Sequence, residues 1–179
     1  MSKSEGLNSN QNILSSNDQR TIDSWIVNMN KRGYWDINHR ISVAKKSLKL
    51  NYDIIGNGFF RIVYDLGNGY VLKVAISNSG IESNKTEYEI YNKCSPKIRN
   101  SLCPVIQYGH GWIIMKKLTR KIPEITPNMI LRLKNQFLTY GIIPHDLKRD
   151  NLALSNRDTI TVIDYGNFVM KGELNSFPF

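Results

Sequence analysis

The chain has 179 residues, 41% of them hydrophobic, which suits one domain of ordinary size with its own core. Its 24 basic and 15 acidic residues give a formal charge of +9, a balance suited to an anionic ligand or an acidic partner; the basic residues are scattered and no nucleic-acid module is legible. No apolar run approaches the roughly 20 residues that span a bilayer, no secretory leader pattern is present, and Cys94 and Cys103 form neither a disulfide framework nor a metal spacing, so no membrane partner and a cytoplasmic location are expected.

Residues 1–20, rich in Ser, Asn and Gln, are expected to form a disordered arm. From Thr21 the pattern changes: Ile22, Trp25, Ile26 and Met29 fall at helical spacing until Lys31-Arg32-Gly33 breaks it. A second helix is predicted from Asn38 to Leu48, with Ile41, Ala44 and Leu48 on one face. Together these helices make an N-terminal extension over 21–50, expected to pack on the small lobe of the domain beginning near Tyr52.

From Tyr52, YDIIGNGFFRIVYDLGNGYVLKVAI reads as three short strands joined by a glycine-bearing turn and by Gly67-Asn68-Gly69. Gly56 and Gly58 let the backbone approach a ligand with no Cβ in the way. Lys73, set among Val71, Leu72, Val74 and Ala75, is costly to bury unpaired and needs a carboxylate. Glu82, Glu87 and Glu89 are the candidates around a helix predicted over Ser83–Lys93. Glu87 has Ile90 and Tyr91 at +3 and +4 and is chosen; Glu89, followed there by Asn92 and Lys93, is the reserve. Pro104–Gly109 and Trp112–Leu118 read as a hairpin turned at His110-Gly111. Thr126 and Pro127 then open a helix that Gly141 closes, with Ile130, Leu133, Phe137 and Leu138 as its buried stripe.

The stretch from Gly141 to Gly166 concentrates the chemistry. Asp146, Lys148 and Asn151 stand at offsets 0, +2 and +5, and Asp164 follows a predicted hairpin of Leu152–Leu154 and Thr159–Ile163. That hairpin folds Asp164 back beside Asn151 and Asp146, and a pocket of two carboxylates and a carboxamide wants a hard cation. Mg²⁺ takes one or two protein carboxylates plus phosphate oxygens, so Asp164 and Asn151 are sensible ligands. Asp146 is left to accept or orient the proton of an attacking hydroxyl, and Lys148 to offset charge on a phosphoryl group in flight.

HDLKRDN followed by DYG resembles the catalytic loop and metal-binding motif of protein kinases, H-R-D-L-x-x-x-N and D-F-G. Gly56-x-Gly58, with Val63 and the V-L-K run ending at Lys73, is similar to the glycine-rich loop and third-strand lysine of that family, although the third glycine is Arg61 here. The resemblance covers roughly residues 51–168. It implies an α+β, protein-kinase-like two-lobe fold: over 51–118 an N-lobe with a small antiparallel sheet and one helix, and over 119–179 a strongly reduced helical C-lobe.

The same resemblance implies ATP and Mg²⁺ as cofactors. Lys73, held by Glu87, would meet the α- and β-phosphates; Val63 and Val71 would roof the adenine and Ala153 floor it. Met115 falls at the gatekeeper place, and the Lys116 carbonyl and Leu118 amide would meet the adenine edge. Asn151 and Asp164 would hold Mg²⁺, Asp146 the acceptor hydroxyl and Lys148 the γ-phosphate. Pro144 and His145 replace the family's His and Arg, which argues against switching by an activation-loop phosphate. Only 13 residues follow Gly166, so no A-P-E-like segment is expected, a layout that resembles small bacteriophage kinases and compact effector kinases of bacterial pathogens. Lysine at +2 from Asp146 resembles serine/threonine kinases. The expected function is therefore phosphorylation of serine or threonine in a host protein. A catalytically silent ATP-binding module and a small-molecule phosphotransferase of aminoglycoside type are the alternatives.

Overall fold

Ser15 caps the first helix by accepting a hydrogen bond from the Asp18 amide, which fixes α1 as Ser16–Asn28. The computed structural model describes residues 12–31 and 36–172. Because α1 starts ahead of Thr21 and Leu14 is already buried, the expected disordered arm is corrected over residues 12–20; residues 1–11 and Arg32-Gly33 lie outside the described residues. Asp36 caps α2 (Ile37–Leu48) through the amides of Asn38 and His39. Lys49, in the left-handed region at φ 41°, ends it.

Five strands follow: β1 (Asp53–Asn57), β2 (Arg61–Asp65), β3 (Tyr70–Ala75), β4 (Val105–Gly109) and β5 (Trp112–Lys116). All pair antiparallel in the order β1-β2-β3-β5-β4, which puts β3 in the middle. The period of two then sorts the side chains. Ile62, Tyr64, Leu72, Val74, Trp112 and Ile114 join one core cluster with Ile22, Trp25, Ile26, Ala44 and Leu48 of the two helices. Trp25 Nε1 donates to the Ala75 carbonyl at 2.9 Å, tying α1 to the central strand. Val71, Ile113 and Met115, the alternate residues, face a second cluster.

That second cluster is built from α3 (Asn78–Lys93), the short α4 (Pro96–Arg99), α5 (Pro127–Thr139) and four short strands. Of these strands, β6 (Ile142–Ile143) pairs with β9 (Val169–Met170), and β7 (Leu152–Leu154) with β8 (Ile160–Val162). Helix α5 begins as expected, Thr126 accepting from the Met129 amide, and buries Leu133 and Phe137. Among the described residues no helix is long and apolar enough to cross a membrane.

Helix α3 begins at Asn78, earlier than the Ser83 start expected from sequence, because Ser77 caps it through the Gly80 amide. Gly80 sits where the helix meets the β1–β2 loop: a Cβ there would lie 2.2 Å from the Phe60 carbonyl oxygen. Phe60 O in turn accepts from the Ile76 amide at 2.8 Å, so the loop backbone cannot easily yield. Gly80→Ala should therefore destabilise the protein by about 1–3 kcal/mol, the usual range for overpacking. An unchanged urea midpoint would show that the loop retreats freely.

Candidate active site

On β3, alternation with Leu72 and Val74 turns Lys73 to the face opposite the N-terminal helices, in register with Val63 and Ile113. Helix α3 presents Ser83, Asn84, Glu87 and Ile90 as its buried face. Lys73 Nζ donates to Glu87 Oε1 at 2.8 Å and to the Ile163 carbonyl at 2.9 Å. Of the three glutamates weighed, Glu87 is the one that meets Lys73; Glu89 meets Lys93 at 3.5 Å, and Glu82 is exposed. Glu87 has no exposed surface and also accepts from the Tyr165 amide at 3.1 Å.

A third charged residue joins this group, and sequence reasoning noted it only as a missing glycine. Arg61 is buried. Its NH1 donates to Glu87 Oε2 at 2.7 Å and Asn84 Oδ1 at 3.1 Å, and its NH2 to Asp164 Oδ1 at 2.5 Å. Strand alternation held the signal: with Ile62 and Tyr64 facing the helices, Arg61 and Val63 must face the other way, toward Lys73. Asp164 keeps 49% of its side chain exposed. Burial acts to raise its pKa, but the charges of Lys73 and Arg61 outweigh that and hold it at about 2, so it is an anion at neutral pH.

Asp146, Lys148 and Asn151 come from the loop after β6. Asp146 adopts φ 57°, an uncommon left-handed conformation for a residue other than glycine. Its carbonyl accepts from Asn151 Nδ2 at 3.0 Å, which commits the amide nitrogen of Asn151 and leaves Oδ1 to act as a ligand. Lys148 Nζ lies 3.0 and 3.1 Å from the two Asp146 carboxylate oxygens. That hydrogen bonding and charge raise the Lys148 pKa. A turn of 3₁₀ helix at Arg149–Asn151 leads into the β7–β8 hairpin, and the Ile163 amide closes it on the Asn151 carbonyl at 2.8 Å. This bond brings Asp164 back beside Asn151.

Two adjoining cavities share Val63, Lys73, Asn151 and Asp164 as walls and together form one cleft. The larger, about 390 Å³, is mainly apolar, with Ile55, Val71, Met115, Leu118 and Ile163 in its lining beside Gly56 and Lys116. The smaller, about 230 Å³, is where the charged groups gather: Arg61, Asp146 and Lys148 line it with Gly58, Asn167, Phe59 and Phe60. Met115 is fully buried behind the first cavity, and the Lys116 carbonyl there already accepts from Cys103 Sγ at 3.1 Å. Ala153, expected as the floor, lines a cavity with Arg120 and Ile122 that adjoins the larger one through Leu118, Thr119, Asp150 and Ile163.

Such a cleft can seat a flat apolar group at one end and a polyanion at the other. Among the described residues no three His, Cys, Asp or Glu side chains gather as a metal cage. The oxygens on offer are the Asp164 carboxylate and Asn151 Oδ1, a set that suits a hard cation completed by ligand oxygens and water. Cys103 also lines the cleft, yet burial pushes its thiol up to about 12, and burial raises Cys94 as well. Both are expected to stay unmodified by iodoacetamide at pH 7.5 in the native protein and to react once it is unfolded; rapid native labelling of Cys103 would contradict this placement.

No protein-family model matches the sequence, and no curated protein matches it. Among solved structures the chain is similar to WbdD, a bifunctional kinase-methyltransferase, with TM-score 0.50 and 19% identity over 63% of this chain and 30% of that one. A co-crystal of WbdD with the kinase inhibitor LY294002 gives 0.52 and 18% over 70% and 35%, and a third WbdD structure 0.52 and 19% over 66% and 33%. The chain thus spans about a third of the length of the WbdD chains it matches. At this identity the likeness speaks for architecture alone: the chain has a kinase-like α+β fold.

Proposed function

We propose that the chain is an ATP- and Mg²⁺-dependent phosphotransferase, and that its acceptor is a serine or threonine hydroxyl of a host-cell protein. The observation that carries the reading is the buried Lys73–Glu87 pair at 2.8 Å, facing Asp164 and Asn151 across one cleft. In this reading the five-stranded sheet with α3 is the first lobe of a two-lobe kinase. Of the second, α5 is the one α-helix among the described residues.

Phosphoryl transfer needs positioning and charge stabilisation and little covalent work from the protein. Lys73, fixed by Glu87 and the Ile163 carbonyl, would hold the α- and β-phosphates. Gly56 and Gly58 would let the loop backbone lie close over them. Val63, Val71 and Ile163 would enclose the adenine, with Met115 behind it and the Lys116 carbonyl and Leu118 amide at its edge. Asp164 and Asn151 fit Mg²⁺ in donor type, and the ion when bound would neutralise charge on the β- and γ-phosphates. Asp146, freed from metal duty, would orient the acceptor hydroxyl, while Lys148 at 3.0 Å would pass between that carboxylate and the γ-phosphate. Lysine at +2 from Asp146 favours serine or threonine as acceptor by its resemblance to kinases of that class.

A second reading has its own support. Because Arg61 already occupies an oxygen of Asp164, the chain could hold a nucleotide as an interaction module and transfer nothing. Labelled γ-phosphate from Mg·ATP, offered with the protein itself and a cell lysate, decides between the two. Label on protein, released by acid hydrolysis as phosphoserine or phosphothreonine and absent with Asp164→Ala, is the expected outcome. ATP binding without label on protein or on added aminoglycosides would favour the module, and label on a small acceptor the metabolite kinase. Lys73→Ala and Asp146→Asn should each slow transfer by about 10²-fold or more, and unchanged turnover in either would remove the role given to that residue.

A further inference from the structure

This inference rests on the reading of Asp164 as a metal ligand in a nucleotide cleft. Four charged side chains meet where the two cavities join: Lys73 and Arg61 against Glu87 and Asp164. Two positive and two negative charges cancel, so the cluster is electrically balanced with no metal and no nucleotide. Glu87 accepts from both cations, from Lys73 at 2.8 Å and from Arg61 at 2.7 Å, so Lys73 still pairs with it if Arg61 moves. For Asp164, among the described residues, Arg61 is the cation hydrogen-bonded to it, at 2.5 Å.

A divalent ion on Asp164 would bring like charges together beside a guanidinium that is 8% exposed, where water screens poorly. Arg61 must then loosen its hold on that oxygen. It has somewhere to go, because it lines the smaller cavity with Gly58 and Lys148. Its planar fork of donors matches phosphate as well as carboxylate.

We propose that Arg61 is a resident counter-ion, holding Asp164 while no metal is bound there and passing to the nucleotide phosphates when metal and nucleotide arrive together. Free metal then competes with a built-in cation and binds weakly. A nucleotide without metal then meets Arg61 in addition to Lys73 and Lys148.

Mn²⁺ serves as the probe, its binding to the full chain read by electron paramagnetic resonance without nucleotide. Arg61→Gln should bind Mn²⁺ about 10-fold more tightly than the wild type, and a fluorescent ATP analogue in EDTA about 10-fold more weakly. Arg61→Lys, which can reach only one carboxylate at a time, should tighten Mn²⁺ by about 3-fold and remains informative if the glutamine variant does not fold. Mn²⁺ affinity equal to or below the wild type in a folded Arg61 variant overturns the counter-ion role, as does undiminished metal-free nucleotide binding. Asp164→Ala separates the two levels. Loss of Mn²⁺ there with no gain in the Arg61 variants overturns the counter-ion alone, whereas undiminished Mn²⁺ binding in Asp164→Ala overturns the reading of Asp164 beneath it.

Discussion

A carboxylate with no exposed surface governs this structure. Glu87 lies between strand, helix and the segment after β8, and accepts from Lys73, Arg61 and the Tyr165 amide. Removing one partner of a buried ion pair typically costs about 3–5 kcal/mol, because the remaining charge is left without compensation. Here a second cation stands by, so Glu87 is never left alone by the loss of either. The arrangement also explains why α3 lies as it does: Asn84 and Glu87 share the helix face that Arg61 grips, and Gly80 lets the first turn press against the loop before β2.

The N-terminal helices answer a different need. A sheet in which both alternating sets of side chains are apolar has no face to offer water. Ile62, Tyr64, Leu72, Val74, Trp112 and Ile114 are covered by α1 and α2, while the opposite set meets the second cluster and the cleft. The cleft opens on the face opposite α1 and α2, with Ile55 and Gly56 of the largely exposed β1 in its wall.

Much of this was legible because the signals were local. Alternation around Lys73, the Thr126 cap with Pro127, and the polar turn between β7 and β8 each fixed an element from a few neighbouring residues. The choice of Glu87 over Glu89 needed only helical spacing. What escaped was non-local or depended on a cap hidden among similar residues. Ser15 and Ser77 start their helices early, in stretches where serine and asparagine are common enough to look like loop. Arg61 was seen as a departure from a pattern, although the alternation that aimed Lys73 also aimed Arg61.

The contacts that finish the charged cluster are widely separated along the chain. Arg61 and Asp164 are 103 residues apart, Lys73 and Ile163 90, and Glu87 and Tyr165 78, whereas Lys73 and Glu87 are only 14 apart. As the chain emerges during synthesis, the sheet and α3 can form with Arg61, Lys73 and Glu87 in place and one positive charge in surplus. Asp164, 103 residues after Arg61, arrives later and cancels it. Such late, long-range closure is slow to form because the intervening loop must be ordered first. Until the turn after β8 is in place, Arg61, Lys73 and Glu87 share one positive charge that no side chain among them offsets.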